Sequence, residues 1–270
     1  MNPVICMVAP NGARRLKSDH QQIPYTAAEL AQTAKSVIAA GATALHLHVR
    51  DAEGKHSLSA KLYQTATDAI KDVCGNDIFL QVTTEAAGIY HVQQQIELVY
   101  QLKPQAVSLS VRELSVADEK DITSLDKWMH DQQVLPQWII YDENDLQKYR
   151  HWLNKGVLCA SAYPVLIVLG NYSKKIVADI GMLEPFVHST ELFSSWMVCA
   201  FGYTEQDIMK TVIAKGGHMR VGFENNLQRP DKEQVEDNAE LVTLSVASVQ
   251  KQGLSMASPK QTLQLLTPAW

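Results

Sequence analysis

Two imidazoles, His46 and His48, stand two positions apart in the stretch GATALHLHVRD, where the surrounding pattern calls for Leu or Val. The stretch reads as a strand, and residues two apart in a strand project from the same face. Each ring placed in an apolar interior needs a polar partner. A pair on one face is a good ligand set for zinc or another divalent transition metal. The plainer alternative is two core histidines, each hydrogen-bonded to a neighbour. A metal needs a third donor, and GGHMRVGFENNL supplies Glu224 at the end of another apolar run. Two histidines and one carboxylate leave open positions, which suits Lewis-acid activation of a carbonyl. Otherwise Glu224 is a surface carboxylate or a cap. Arg220 lies four residues earlier, on the same face, and can hold a carboxylate or an oxyanion; its alternative is an ion pair inside the fold. Asp51 either supports a ligand histidine from behind or is a loop residue paired with Arg50 or with backbone.

Distant residues must be carried together by the elements between them. Short β-branched runs alternate with amphipathic segments along the chain. Val4–Pro10 reads as the first strand, and Thr26 with Glu29 forms a capping box for a helix that stops near Gly41. Strands follow at ATALHLHV, IFLQVTT, AVSLSV, PQWIIY, YPVLIVLG, SSWMVCAFG and HMRVGF. Between them helices are expected at Ser59–Val73, Val92–Leu102, Asp118–Gln132 and Glu143–Lys155, and from Thr204 to Ala214, with a last long helix over Lys232–Lys251. The sixth unit, KKIVADIGMLEPFVHS, is irregular, with only a short helix before Pro185. Near-continuous apolar strands are those of a parallel sheet buried on both faces. Eight β-then-α units predict one (β/α)8 TIM barrel over residues 1–270, with a C-terminal helical extension. The open doubly wound sheet is disfavoured because APNGARR lacks the glycine spacing of a dinucleotide site. In a closed barrel, strand 8 neighbours strand 1 and strand 1 neighbours strand 2, so Glu224 can meet the histidines at the C-terminal rim.

Other polar residues fall at that rim. The first loop, NGARRLKSDHQQIPYT, is long and holds Arg14, Arg15, Lys17 and His20. It reads as a lid whose cations meet substrate or coenzyme phosphates, or as a solvated basic loop at an oligomer contact. Arg112 and Glu113 follow the fourth strand, as substrate ligands or a local ion pair. Glu85, after the third strand, is a candidate base. Cys6 and Cys199 read as packing, and Trp138 and Trp196 as strand positions facing the helices. The 270 residues carry a formal net charge of -5, which argues against a general nucleic-acid partner. Four scattered cysteines without a CxxC suggest reduced thiols in a cytoplasmic protein. No signal peptide or membrane span is expected.

Taken together, APNGARR, HLHVRDAEGKHSL, QVTTEAAG, VSLSVREL, PQWIIYDENDL, VLIVLGNYS and GGHMRVGFENNL resemble the β-keto acid cleavage enzymes, the family named after 3-keto-5-aminohexanoate cleavage enzyme. The resemblance implies a zinc-bearing TIM barrel, usually a homotetramer, that reacts a β-keto acid with acetyl-CoA to give acetoacetate and a new acyl-CoA. It implies that His46, His48 and Glu224 are the metal ligands and Arg220 a catalytic arginine. A substrate-binding hydroxyl on the third strand falls at Thr83 or Thr84, and one on the fourth at Ser108 or Ser110. Two departures stand out. The family's aspartate after the metal-binding glutamate is Asn225 here, and an amide cannot act as a base, so Glu85 is the replacement candidate. A first-loop glutamate that meets a substrate amino group corresponds to Arg14, which argues against a cationic substrate. Two alternatives stay open: a metal-dependent carbon–carbon lyase or hydrolase without CoA, and a non-catalytic metal-binding relative.

Overall fold

Eight parallel strands close into one ring in the computed structural model, which describes residues 3–172 and 175–270. They are β1 (Cys6–Val8), β2 (Ala44–Leu47), β3 (Phe79–Thr83), β4 (Ala106–Ser110), β5 (Leu135–Ile140), β6 (Tyr163–Leu169), β7 (Phe193–Ala200) and β8 (His218–Val221). Neighbours follow chain order, and the ring closes where β8 pairs with β1, Met7 standing opposite Arg220. This is the expected single-domain TIM barrel. Ser173 and Lys174, at the start of the irregular sixth unit, lie outside the described residues.

The helices form the outer layer: α1 (Ala27–Ala39), α2 (Ala60–Cys74), α3 (Val92–Leu102), α4 (Glu119–Asp131), α5 (Glu143–Asn154), α6 (Glu184–Val187), α7 (Glu205–Ala214) and α8 (Asn238–Lys251); α9 (Pro259–Leu265) belongs to the C-terminal extension. Helix α1 starts as its sequence dictates. The Thr26 hydroxyl accepts from the Glu29 amide at 3.2 Å, and the Glu29 carboxylate accepts from the Thr26 amide at 2.9 Å. Helix α8 begins at Asn238 rather than Lys232, because Asp237 caps it, accepting from the Glu240 amide at 2.9 Å. The residues before it form a turn at Pro230 closed by pairing of Gln228 with Gln234, with Lys232 in the left-handed region at φ 73. In the sixth unit the expected short helix before Pro185 is a 3-10 turn, Ile180–Leu183, and Pro185 itself falls inside α6. It sits in the first turn, where its missing N–H costs nothing.

Strand alternation sorts the core into two layers. Cys6, Val8, Leu45, Val82, Val107, Trp138, Ile167 and Val198 face the helices in one apolar layer. Ile5, Met7, Ala44, Phe79, Ala106, Ile139, Leu166 and Met197 fill the ring, and Ala257 and Leu266 join them from the C-terminal extension to plug its floor. Above this plug the inward positions turn polar, with Gln81, Gln137, His46, Ser108, Thr83 and Arg220 all buried. A barrel keeps its chemistry at this end. Among the described residues no helix is long and apolar enough to cross a membrane.

Candidate active site and metal centre

The polar layer converges on one point. His46 is the third residue of β2, and His48 lies just beyond its end, with both rings buried and their centroids 5.1 Å apart. Glu224 reaches them across β1. Its amide donates to the Ala9 carbonyl at 3.0 Å, which extends the β1–β8 pairing past the strand end. Its Oε2 then lies 3.3 Å from His48 Nε2 and 3.8 Å from His46 Nε2. Gly12, in the first loop, makes room for this carboxylate. A Cβ there would sit 2.6 Å from Glu224 Cγ, and the residue holds φ +63.

Each donor is oriented by a partner. His46 Nδ1 hydrogen-bonds Gln81 Oε1 at 2.7 Å, and Gln81 donates its amide to Gln137 at 3.0 Å. An acceptor on Nδ1 places the proton there and leaves the Nε2 lone pair free. Arg220 donates to Glu224 Oε1 at 3.2 Å and to Cys199 Sγ at 3.2 Å. Burial holds the His46 imidazole neutral, its pKa brought down to about 3, with Arg220 adding to the effect. Burial pushes the Glu224 carboxyl upward, yet Arg220 and His48 together hold it well below the usual carboxylate range. The result is two imidazole nitrogens and a carboxylate oxygen within 4.8 Å of one another. His48 Nε2 and Glu224 Oε2 are buried and have no hydrogen-bond partner. Tetrahedral N and O donors at zinc bond lengths stand roughly 3.3 Å apart. Orphaned buried donors at 3.3 and 3.8 Å therefore fit a divalent cation, and they are costly without one.

A family model described as beta-keto acid cleavage enzyme matches residues 3–267. The chain belongs to that family. It is 29% identical to the 3-keto-5-aminohexanoate cleavage enzyme of Acetoanaerobium sticklandii, over 98% of each chain. It is 22% identical to the 3-oxoadipate:acetyl-CoA acetyltransferase of Cupriavidus necator, over 98% of this chain and 94% of that one. Among solved structures, a ternary complex of ObcA with a C4-CoA adduct and oxalate superposes with a TM-score of 0.71 at 14% identity. That match covers 91% of this chain and 67% of the longer one, and shows the shared fold.

In this β-keto acid cleavage enzyme relative, the remaining sequence candidates divide. Glu85 joins the donors, its carboxylate 3.8 Å from His48 Nδ1 and 3.6 Å from Arg14. Burial raises its pKa, against the pull of His48 and Arg14. On β3, Thr83 shares the inward face with Gln81, its hydroxyl 3.5 Å from that of Ser108. Thr84 is spent on the Ser108 carbonyl at 3.0 Å. Ser110 caps a single-turn helix, Val111–Leu114, accepting from the Glu113 amide. Arg112 is not brought to the donors. Its guanidinium grips Asp145 and Asp142, each at 2.7 Å, and lies 4.2 Å over the Tyr141 ring. Its sequence neighbour Glu113 turns instead to the Ala86 amide and Gln95. Asn225 is fully buried beside Arg220, with its Nδ2 unpartnered. Asp51 takes the backbone option, closing a turn through the Glu53 and Lys55 amides. Arg50 ties the first loop down through the Gly12 and Arg15 carbonyls and also donates to Gly54 in its own turn. In that loop Lys17 pairs with Glu29, and His20 bonds the Val235 carbonyl. Cys199 is more than packing, since it accepts from Arg220; burial raises its thiol to about 11, so it stays protonated.

Two contributors escaped sequence reasoning. Gln81 sits inside an apolar strand with no motif around it. His56 lies in a short hairpin of Val49–Arg50 with His56–Ser57. Its ring stands 5.3 Å from His48, and its Nε2 donates to the Glu85 carbonyl at 2.7 Å. The signal for His56 was its recurrence eight residues after His48, across a Gly-containing turn.

Proposed function

We propose that the chain cleaves a β-keto acid with acetyl-CoA, releasing acetoacetate and a new acyl-CoA, at a zinc ion held by His46, His48 and Glu224. The convergence of those three donors, in a member of this family, carries the reading. A divalent cation there supplies Lewis-acid polarisation of a substrate carbonyl. Arg220 receives the substrate carboxylate through its buried, unpartnered Nε edge. Glu85, with its raised affinity for a proton, takes one from the carbon between ketone and carboxylate. The resulting carbanion attacks the acetyl thioester carbon and expels the CoA thiolate. That thiolate adds to the original ketone carbon, the old carbon–carbon bond breaks, and the electron pair leaves on the acetoacetate carbon. Glu85 returns its proton there. Thr83 and Ser108 offer hydroxyls to the developing oxyanion. Arg14 beside Glu85 favours a substrate without a cationic tail.

The test compares verified metal-free and zinc-reconstituted protein, with and without acetyl-CoA, on a panel of β-keto acids. Turnover is expected only with both present. Full turnover by metal-free protein would reject the metal's role, and cleavage without acetyl-CoA would reject the transfer step in favour of a lyase.

A further inference from the structure

A hollow at the rim carries charge that the proposed reaction leaves unused. It has a volume of about 510 Å³ and opens beside Asn225, walled by Arg15, Tyr172, Lys175, Val177 and Phe201. A second hollow of about 280 Å³ continues from it, sharing Arg15 and adding Lys232. Several other cations of this rim are neutralised: Arg14 by Glu85, Lys17 by Glu29, Arg112 by Asp142 and Asp145. Among the described residues, Arg15, Lys175 and Lys232 have no carboxylate at ion-pair distance. Arg15 lies over the Tyr172 ring at 4.8 Å, and Lys232 over the Tyr203 ring at 4.7 Å. The Nε of Arg15 is buried without a partner. Asp19, the acid in the larger lining, already accepts from the Leu16 amide at 2.8 Å. A guanidinium stacked on a phenol keeps its fork of N–H donors free for a planar or tetrahedral anion. Val177 and Phe201 offer an apolar wall to the methylenes leading up to that anion.

We infer that this groove binds the anionic end of a chain whose reacting carbonyl lies at the donor trio, with Arg15 and Lys175 taking the charge. The placement of that carbonyl rests on the function proposed above. A carboxylate and a phosphate share the required chemistry: the first would be the distal carboxylate of a dicarboxylic β-keto acid, the second the diphosphate of coenzyme A.

Isothermal titration reads the groove without turnover. Wild type, Arg15→Gln and Lys175→Gln are titrated with coenzyme A, pantetheine, adipate and hexanoate. Each substitution should weaken coenzyme A or adipate about tenfold while leaving the uncharged or singly charged counterpart within about twofold. Loss confined to coenzyme A identifies the phosphate, and loss confined to adipate identifies the carboxylate. Equal weakening of anionic and counterpart ligands, unchanged affinities in both variants, or no binding of either anion to wild type would overturn the inference. Lys175 is exposed, so its variant tests the charge without disturbing the core. Anion selectivity that survives alongside a failed turnover assay would reject the proposed reaction alone.

Discussion

Replacing Gly12 with alanine tests the geometry of the metal centre most directly. The new Cβ would lie 2.6 Å from Glu224 Cγ and 3.0 Å from its Cβ. Relief to an ordinary contact of about 3.4 Å moves the carboxylate by roughly 0.8 Å, several times the ~0.2 Å tolerance of metal–ligand distances. The backbone holds φ +63, so a side chain also adds about 1–2 kcal/mol of left-handed strain. Gly75 provides the control, with φ +58 and nothing within 4 Å of an added methyl. Both variants should lose at least about 1 kcal/mol of stability in urea unfolding. Only Gly12→Ala should also lose zinc affinity, by roughly 10- to 100-fold in competition with a chromophoric chelator. Wild-type zinc affinity in Gly12→Ala, or an equal loss in Gly75→Ala, would refute the claim that this glycine seats the ligand.

Gln81→Leu removes the acceptor on His46 Nδ1 and should weaken zinc binding by roughly 10–100-fold in the same competition; unchanged affinity would show that the amide does not orient the ring. Glu205 is fully buried, and burial carries its pKa from 4.5 up to about 8 against the hydrogen bonds from Asn226 and Gln206. The folded state keeps a proton that the unfolded chain releases, so stability should fall as pH rises between those values, by an amount on the order of a few kcal/mol. Urea midpoints at several pH values should decline less steeply for Glu205→Gln, and identical slopes would contradict the assignment. Arg112→Ala should cost about 1–3 kcal/mol by stranding the buried Asp145, with KM unchanged; a large rise in KM would place Arg112 at the substrate instead.

The barrel was legible because its signals are local. Apolar runs, the Thr26 capping box and the turn glycines each report on a few neighbouring residues, and the closed ring follows from eight repeats of one unit. The rim trio was legible for a different reason. Imidazoles at alternate strand positions break the apolar pattern, and ring closure brings Glu224 to them. Gln81 was not legible, since a single amide inside a strand looks like any half-buried position until its partner across the ring is known. Arg112 shows the opposite limit. Its place after β4 was right for the rim, but only the side chains of α5 reveal that Asp142 and Asp145 claim it. The start of α8 was misjudged because helix-forming residues run on both sides of Asp237, and the cap settles the boundary.

The donors sit on either side of the line where the ring closes, with His46 on β2 and His48 just past its end, Glu224 beyond β8, and the three-residue β1 between them. An ion held there would latch that seam, tying the start of the polypeptide to its end. Its binding energy would then count toward keeping the two ends docked. A nascent chain lacking its final strand would present only two of the three donors, so full coordination would wait until the barrel is complete.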